Sequence, residues 1–148
     1  MTLNRLKELI GKEIALSDWM EITQDRIDAF AECTEDRQWI HIDKEKAAHS
    51  PFGKTIAHGF LILSLLSYFN YQNDLFPETP KLAFNYGLNK VKFIKPVITG
   101  SKIRNRAVLE DVVERGKDKI LVTIKNTIEI KGEEKPAMVA ESLILVFL

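Results

Sequence analysis

The most restrictive feature of the sequence is a segment, from His58 to about Asn70, that is apolar in nearly every direction when it is drawn as a helix. Its apolar residues are Phe60, Leu61, Ile62, Leu63, Leu65, Leu66, Tyr68 and Phe69. A helix that is apolar on every side has to be buried on every side. Only a curved sheet covers that much helix in so small a domain, so the segment predicts a central helix wrapped by a sheet. Its longest apolar run, interrupted by Ser64, is far shorter than the ~20 residues of a membrane span.

The rest of the chain supplies the strands for such a sheet. Between Ile120 and Ile130, isoleucine and valine alternate with threonine, lysine and glutamate, which is the period of a half-buried strand. Glu13 to Ile22 predicts a first strand, and less regular strand candidates are Ala83 to Ile94, Lys102 to Val112 and Ala137 to Leu148. Turn-forming residues at 96–100, 115–118 and 132–136 connect them. The predicted order of strand, helices, buried helix and antiparallel meander is that of an α+β fold.

Shorter helices are predicted before the apolar one. Leu3 to Ile10 has apolar residues at helical spacing and ends at Gly11. Thr23 can cap a helix over Gln24 to Thr34, because its hydroxyl can accept from the free amides of the first turn. The segment after that helix is irregular, with room for one short helix capped by Asp43.

Composition and charge narrow the class of protein. With 148 residues, and 21 Lys and Arg against 21 Asp and Glu, the chain predicts one charge-balanced domain over residues 1–148. Without a basic field, nucleic acid and membrane surfaces are poor partners. Cys33 is the single cysteine, and no stretch has the pattern of a signal peptide, so we expect a cytoplasmic protein without disulfides. The sequence has no Gly-rich phosphate loop and no Cys-x-x-Cys pair, which argues against nucleotide and zinc-ribbon sites.

The polar residues that chemistry can use are concentrated between residues 35 and 59. Asp36 and His41 are five residues apart at the end of a predicted helix, and His58-Gly59 stands at the start of the apolar one. A carboxylate and an imidazole that converge on one water can orient it, take a proton from it and return a proton elsewhere. The Gly59 amide lies in the first turn of a helix, where it can hold a developing oxyanion. Spacing alone leaves open that such residues are only a cap and a satisfied polar group.

These landmarks resemble the MaoC-like dehydratases and (R)-specific enoyl-CoA hydratases of the hot-dog fold. The family pattern of Asp-x-Asn-Pro-x-His, a short helix and turn, and then Pro-Ile/Thr-x-His-Gly leads into a long apolar helix that carries serine. The chain reads Asp36-Arg-Gln-Trp-Ile-His41, and then Pro51-Phe-Gly-Lys-Thr-Ile-Ala-His58-Gly59 before the apolar segment. Gln and Trp replace the usual Asn and Pro, and this variant is similar to the nodulation-protein-N-like branch. The resemblance implies an antiparallel sheet wrapped around the central helix.

The resemblance also implies a reaction, the reversible addition of water to a trans-2-enoyl thioester to give an (R)-3-hydroxyacyl thioester. Asp36 and His41 would activate the water, and the Gly59 amide would receive the thioester oxygen. Ser67, eight residues after Gly59, matches the family serine that supports this site by hydrogen bonding, with Ser64 as the competing choice. We expect His58 to hold the loop rather than to react. Trp39 is bulky enough to narrow or reshape the acyl pocket.

Partners and rival functions follow from the same resemblance. It implies a homodimer whose sheets join edge to edge, an acyl-CoA or acyl-carrier thioester as substrate, and no separate cofactor, since coenzyme A is part of the substrate. A hot-dog thioesterase would need a carboxylate placed to activate water against the thioester carbon. A non-catalytic acyl-CoA-binding subunit would keep the fold without turnover. The pair Asp36 and His41 favours hydration over both.

A metal site is the remaining alternative for the histidines. His41, Asp43, His49 and His58 carry metal-binding groups, but no pair has the His-x-x-x-His spacing of a helical site. No cysteine pair supports such a site either. We therefore expect chemistry without a metal ion.

Overall fold

The computed structural model of the protein describes residues 2–72 and 80–148. In chain order its elements are α1 (Leu3–Lys7), β1 (Glu13–Leu16), β2 (Met20–Glu21), α2 (Gln24–Thr34), α3 (Trp39–Ile42), α4 (Lys44–Ala48), α5 (Gly59–Tyr71), β3 (Leu82–Phe93), β4 (Lys102–Glu114), β5 (Lys119–Ile130) and β6 (Met138–Phe147). This order, with helices between the first strands and a later run of strands, confirms the predicted α+β class.

The strands of the described residues form one antiparallel sheet in the order β1-β4-β5-β6-β3, and β2 also pairs with β4. A tight turn joins β4 to β5, where the Arg115 amide donates to the Lys119 carbonyl at 2.8 Å. A second hairpin joins β5 to β6, so the predicted meander is confirmed. Strand β3 ends the sheet order, with β6 as its partner. The side of β3 that faces away from β6 is therefore a sheet edge within this chain.

Helix α5 packs against one face of the sheet and confirms the predicted central helix. Its side chains Leu61 and Leu65 belong to one buried cluster with Ile128 of β5 and Met138 of β6. Each such side chain contributes roughly 1.5–3 kcal/mol when it is buried on folding. The helix is consequently fixed along its length, and so is the position of its first residue, Gly59.

Burial of α5 is incomplete, so the expectation of a helix covered on every side is wrong for the single chain. Phe60, Tyr68 and Tyr71 are 69%, 49% and 64% exposed. These residues recur at helical spacing and form one stripe. The stripe is open because one curved sheet covers a helix from one side and along its flanks only. No helix in the described ranges combines the length and the apolarity that crossing a bilayer demands.

Local capping follows the sequence closely in the first half of the chain. The Thr23 hydroxyl accepts from the Arg26 amide at 3.2 Å at the start of α2. The Asp43 carboxylate accepts from the Lys46 amide at 3.0 Å at the start of α4. The predicted first strand is divided into β1 and β2, and the intervening Ser17 bonds to the backbone of β4.

Candidate active site

Three polar side chains that are distant in sequence converge beside the start of α5. Helix α2 ends at Glu35, whose φ of 63° turns the chain out of the helix. Asp36 follows at once, α3 carries His41 on its buried side, and His58 immediately precedes α5. Each of these three residues has one ring nitrogen or carboxylate oxygen within 4.8 Å of the corresponding atoms of the other two. The structure thus brings the predicted acid–base pair together.

The imidazole of His41 is held in one tautomer. Its Nδ1 lies 2.7 Å from the Ile56 carbonyl, which can only accept, so Nδ1 carries the proton. In the neutral ring, Nε2 then keeps its lone pair. His41 is 6% exposed. The side-chain amide of Gln24 donates to the backbone carbonyl of His41 at 2.8 Å. His41 is therefore a positioned base with a free Nε2.

We expect the ring of His41 to titrate below the ordinary histidine value of 6.5, because burial lowers its pKa and the neighbouring His58 adds to that effect. The Ile56 carbonyl and Asp36 act in the opposite direction. Since the folded chain binds this proton less readily than the unfolded chain, the contribution of His41 to stability is present above pH 6.5 and is lost as the pH falls through the folded pKa. Imidazole proton shifts measured by NMR against pH test this, with His41→Gln to assign the resonance. A midpoint at or above pH 6.5 would contradict it.

His58 holds the loop that carries Asp36. Its Nε2 donates to the Asp36 carbonyl at 2.9 Å, across 22 positions of sequence. Its ring stacks on that of His41 with centroids 3.8 Å apart and contacts Phe30 at 4.9 Å. These contacts match the structural role expected for His58.

Gly59 is the first residue of α5, and its amide has no acceptor among the described residues. The side chain of the preceding His58 does not cap the helix. The first amides of a helix have no intrahelical partner and lie at the positive end of the helix dipole. A Cβ atom at Gly59 would lie 3.1 Å from the ring of Phe93, so glycine allows this close packing. The free amide is thus available to a negatively charged oxygen.

A cavity of about 320 Å³ adjoins these groups. His41, Gly59 and Lys95 line it together with apolar residues that include Ile62 and Phe93. A mostly apolar cavity with few polar groups is typical of a binding site for a small organic ligand. His41 and Gly59 therefore border the same mostly apolar space.

Trp39 does not line this cavity, so the expectation that it narrows the pocket is wrong for this cavity. The helical turn of α3 places Ile40 and His41 on the cavity side. The Lys46 ammonium lies 4.8 Å from the centre of the Trp39 ring. The indole thus packs towards α4 in a cation–π contact.

Ser67 lies away from Asp36 and His41, along α5 in a second cavity. Its hydroxyl accepts from the Asn85 amide at 3.0 Å. It makes no hydrogen bond to the acid–base pair within the described chain, so the structure does not give it the expected supporting contact. The competing Ser64 donates to the Leu61 carbonyl at 2.7 Å, which is the ordinary bond of a helical serine to the preceding turn.

Gln24 and Thr55 are positioning residues that the sequence reasoning missed. The Gln24 side chain accepts from the Thr55 hydroxyl and donates to the His41 carbonyl. It thereby ties the start of α2 to α3 and to the segment before α5. Gln24 is the first residue after a predicted cap, and no pattern in the sequence marks it as part of a site.

The same three side chains are close enough to be considered as metal ligands. A metal ion binds an imidazole in the plane of the ring. The rings of His41 and His58 are stacked 3.8 Å apart with an angle of 24° between their planes, so the two ring planes are nearly parallel. Chemistry without a metal stays a prediction.

Comparisons with known proteins agree on the class of domain. A family model described as MaoC like domain matches residues 5–131. A 3-hydroxyacyl-thioester dehydratase Z from Mycobacterium tuberculosis is 46% identical over 90% of this chain and 88% of the relative. Nodulation protein N from Rhizobium leguminosarum is 42% identical over 99% and 91%. In fold, the chain is similar to an (R)-hydratase from A. caviae, with a TM-score of 0.74, 24% identity and coverage of 91% and 94%.

Proposed function

The chain belongs to the MaoC-like domain family, whose relatives share the hot-dog fold, and on this premise we propose that it is an (R)-specific enoyl-thioester hydratase. It adds water to a trans-2-enoyl thioester and, in reverse, dehydrates an (R)-3-hydroxyacyl thioester. The observation that carries the proposal is that the His41 imidazole clusters with the Asp36 carboxylate and that His41 lines the same cavity as Gly59, whose amide is free. The relative named 3-hydroxyacyl-thioester dehydratase supports the same hydro-lyase class.

The reaction can be written with these groups alone. A water held between Asp36 and His41 loses a proton to one of them as its oxygen bonds to C3 of the enoyl group. The C2–C3 double-bond electrons move toward the thioester, and its oxygen gains negative charge beside the Gly59 amide. A proton from the Asp36 and His41 pair then goes to C2 and leaves the pair as it began. Either member of the pair can hold the proton between the two steps, so the final transfer is assigned to the pair.

The electrostatics of the site suit this sequence of steps. Burial lowers the pKa of His41, which keeps the ring unprotonated at pH 7 and able to accept a proton from water. An amide aimed at the developing oxyanion in an apolar cavity is worth more than the same amide in water. The substrate reaches the site on coenzyme A or on an acyl carrier protein, and no other cofactor is needed.

We expect the purified protein to hydrate trans-2-enoyl-CoA thioesters, beginning with crotonyl-CoA and extending through longer chains. Loss of the absorbance of the conjugated thioester measures the rate, and chiral analysis of the 3-hydroxyacyl product tests the stereochemistry. Release of free coenzyme A without hydration would favour a thioesterase. Binding without turnover at any chain length would favour a non-catalytic subunit. An (S) product would contradict the proposed stereochemistry.

The homodimer is part of the same proposal. Strand β3 is a sheet edge in the single chain, and an exposed edge strand is a template for pairing with another chain. Its residues Tyr86 and Leu88 are exposed, as are Phe60 and Tyr68 of α5. Pairing of two β3 strands would continue the sheet across both protomers and cover this apolar surface.

We expect sedimentation velocity to give twice the protomer mass of 16.9 kDa at micromolar concentration. Tyr86→Glu should shift the equilibrium toward the protomer, because like charges would meet across the paired edges. Phe52→Glu, which changes an exposed aromatic residue in the loop before α5, is the matched control and should stay dimeric. A monomeric wild-type protein would contradict the pairing.

A further inference from the structure

A second cavity, of about 280 Å³, lies between α5 and β3. It differs from the cavity at Gly59 in the number of polar side chains on its wall. Ser64, Ser67 and Asn70 of α5, Asn85 and Tyr86 of β3 and Ser142 of β6 all line it. Polar groups in the interior cost free energy unless they are hydrogen-bonded. Of these residues Asn70 and Ser142 are buried, so the hydrogen bonds of these two need an explanation.

Ser142 is part of a hydrogen-bonded row that crosses the sheet. Its hydroxyl accepts from the side-chain amide of Asn126 at 2.9 Å. The side-chain oxygen of Asn126 in turn accepts from the side-chain amide of Asn105 at 2.9 Å. Asn126 is fully buried, and Asn105 and Ser142 are 2% and 6% exposed. This row forms a polar layer between the two apolar clusters of the core. The floor of the cavity is consequently polar and held in place.

Two of the groups from α5 have unused hydrogen-bonding capacity. Asn70 is 6% exposed, and its Oδ1 is buried without a partner among the described residues. The Ser67 hydroxyl accepts from Asn85, which leaves its own proton free to donate. A buried amide and a hydroxyl without full partners fit a ligand group that both donates and accepts, which is the chemistry of a hydroxyl.

Both cavities are lined by residues of α5 and β3. Ile62 of α5 lines the first and the next residue, Leu63, lines the second. From Gly59 to Ser67 the helix advances about 12 Å. An extended chain advances about 1.2 Å per bond, so about ten bonds of an acyl chain separate the two points.

We propose that the cavity of Ser67, Asn70, Asn85 and Ser142 binds a hydroxyl group on the distal part of the acyl chain, so that the enzyme prefers hydroxylated over plain acyl thioesters. This inference rests on the proposed hydratase function and names its substrate class. The thioester carbonyl lies at Gly59, and a hydroxyl about ten bonds away reaches the polar cavity. A plain alkyl end would instead leave the amide and hydroxyl groups without partners.

The probes are a matched pair of saturated thioesters, 10-hydroxydecanoyl-CoA and decanoyl-CoA, titrated into the full-length protein by calorimetry. We expect the hydroxylated ligand to bind at least about tenfold more tightly, as expected when a site has polar groups that a plain analogue leaves unpaired. Asn70→Leu should reduce that ratio to about one or reverse it. Thr34→Ala, at a residue outside both cavities whose hydroxyl donates to the Phe30 carbonyl of the preceding turn, should keep the ratio.

The unsaturated pair, 10-hydroxy-trans-2-decenoyl-CoA and trans-2-decenoyl-CoA, separates the two proposals. If the hydroxylated and the plain member of each pair bind equally and are turned over equally, the polar subsite is overturned and the hydratase function is retained. Preferential binding of the hydroxylated ligand without hydration of either enoyl thioester would support the subsite and overturn the hydratase. Urea unfolding of Asn70→Leu checks the fold, and a preference that survives in a folded Asn70→Leu protein would overturn the assignment of Asn70.

Discussion

Replacing Asp36 by asparagine lowers the turnover of enoyl thioesters by at least about 100-fold, because the amide cannot take or return a proton. The shape of the side chain is retained, and the Asn oxygen can still accept from the Gln38 amide, as Asp36 does at 3.4 Å. Folding should therefore be unaffected. His41→Gln should have an effect of similar size, since it removes the free Nε2. Steady-state rates and circular dichroism measure the two properties.

The same two changes, aspartate to asparagine and histidine to glutamine, serve as controls at positions outside the site. Asp43→Asn keeps a good helix cap at the start of α4 and should leave the rate unchanged. His49→Gln changes an exposed residue outside the cluster of Asp36, His41 and His58 and should also be neutral. Because Asp36 and His41 act on one water, the double variant should lose little beyond either single variant. Near-normal rates in both single variants would contradict the assignment.

The sequence predicted the parts of the structure that depend on local chemistry. The cap at Thr23 and the helix over Gln24 to Thr34 were correct to the residue, because a hydroxyl and an apolar stripe define such a helix. The alternation in β5 and the turns around it predicted the meander for the same reason. The pairing of Asp36 with His41 was inferred from the family resemblance, and the structure places the two side chains together.

The failures concern contacts that join distant segments. Trp39 was assigned to the pocket from its size, but the turn of α3 directs it towards Lys46. Ser67 was assigned to the acid–base pair from the family resemblance, whereas it bonds to Asn85 on β3. Gln24 was not considered, since its bonds to His41 and Thr55 depend on how three segments meet. Such contacts leave no periodic signal in a single sequence.

The exposed stripe on α5 indicates that complete burial of this helix requires a second copy of the chain. The segment is apolar on every side, and apolarity on every side predicts complete burial. In the single chain, Phe60 and Tyr71 are nonetheless mostly exposed. Complete burial of α5 requires an assembly that covers this face, so the sheet edge at β3 and the stripe support the same proposed dimer.

The second large effect is expected at Gly59, where proline removes the amide proton but suits the helix. Proline is favoured at the first helical position, where the amide is unpaired in any case. It also requires an extended residue before it, and His58 already has φ −60° and ψ 138°. Loss of an oxyanion donor costs about 100- to 1,000-fold in turnover. Gly59→Pro should therefore be folded and nearly inactive.

Gly59→Ala is the control that separates the amide from the added atoms. Its Cβ meets the Phe93 ring at 3.1 Å, and that ring is half exposed and can move by a few tenths of an ångström. Alanine keeps the N–H, so its loss of turnover should be much smaller than that of proline. Turnover of one enoyl-CoA by the wild type and both variants, with urea unfolding of each, measures the difference. Equal losses would show that the close packing of Gly59, rather than its amide, is what the reaction requires.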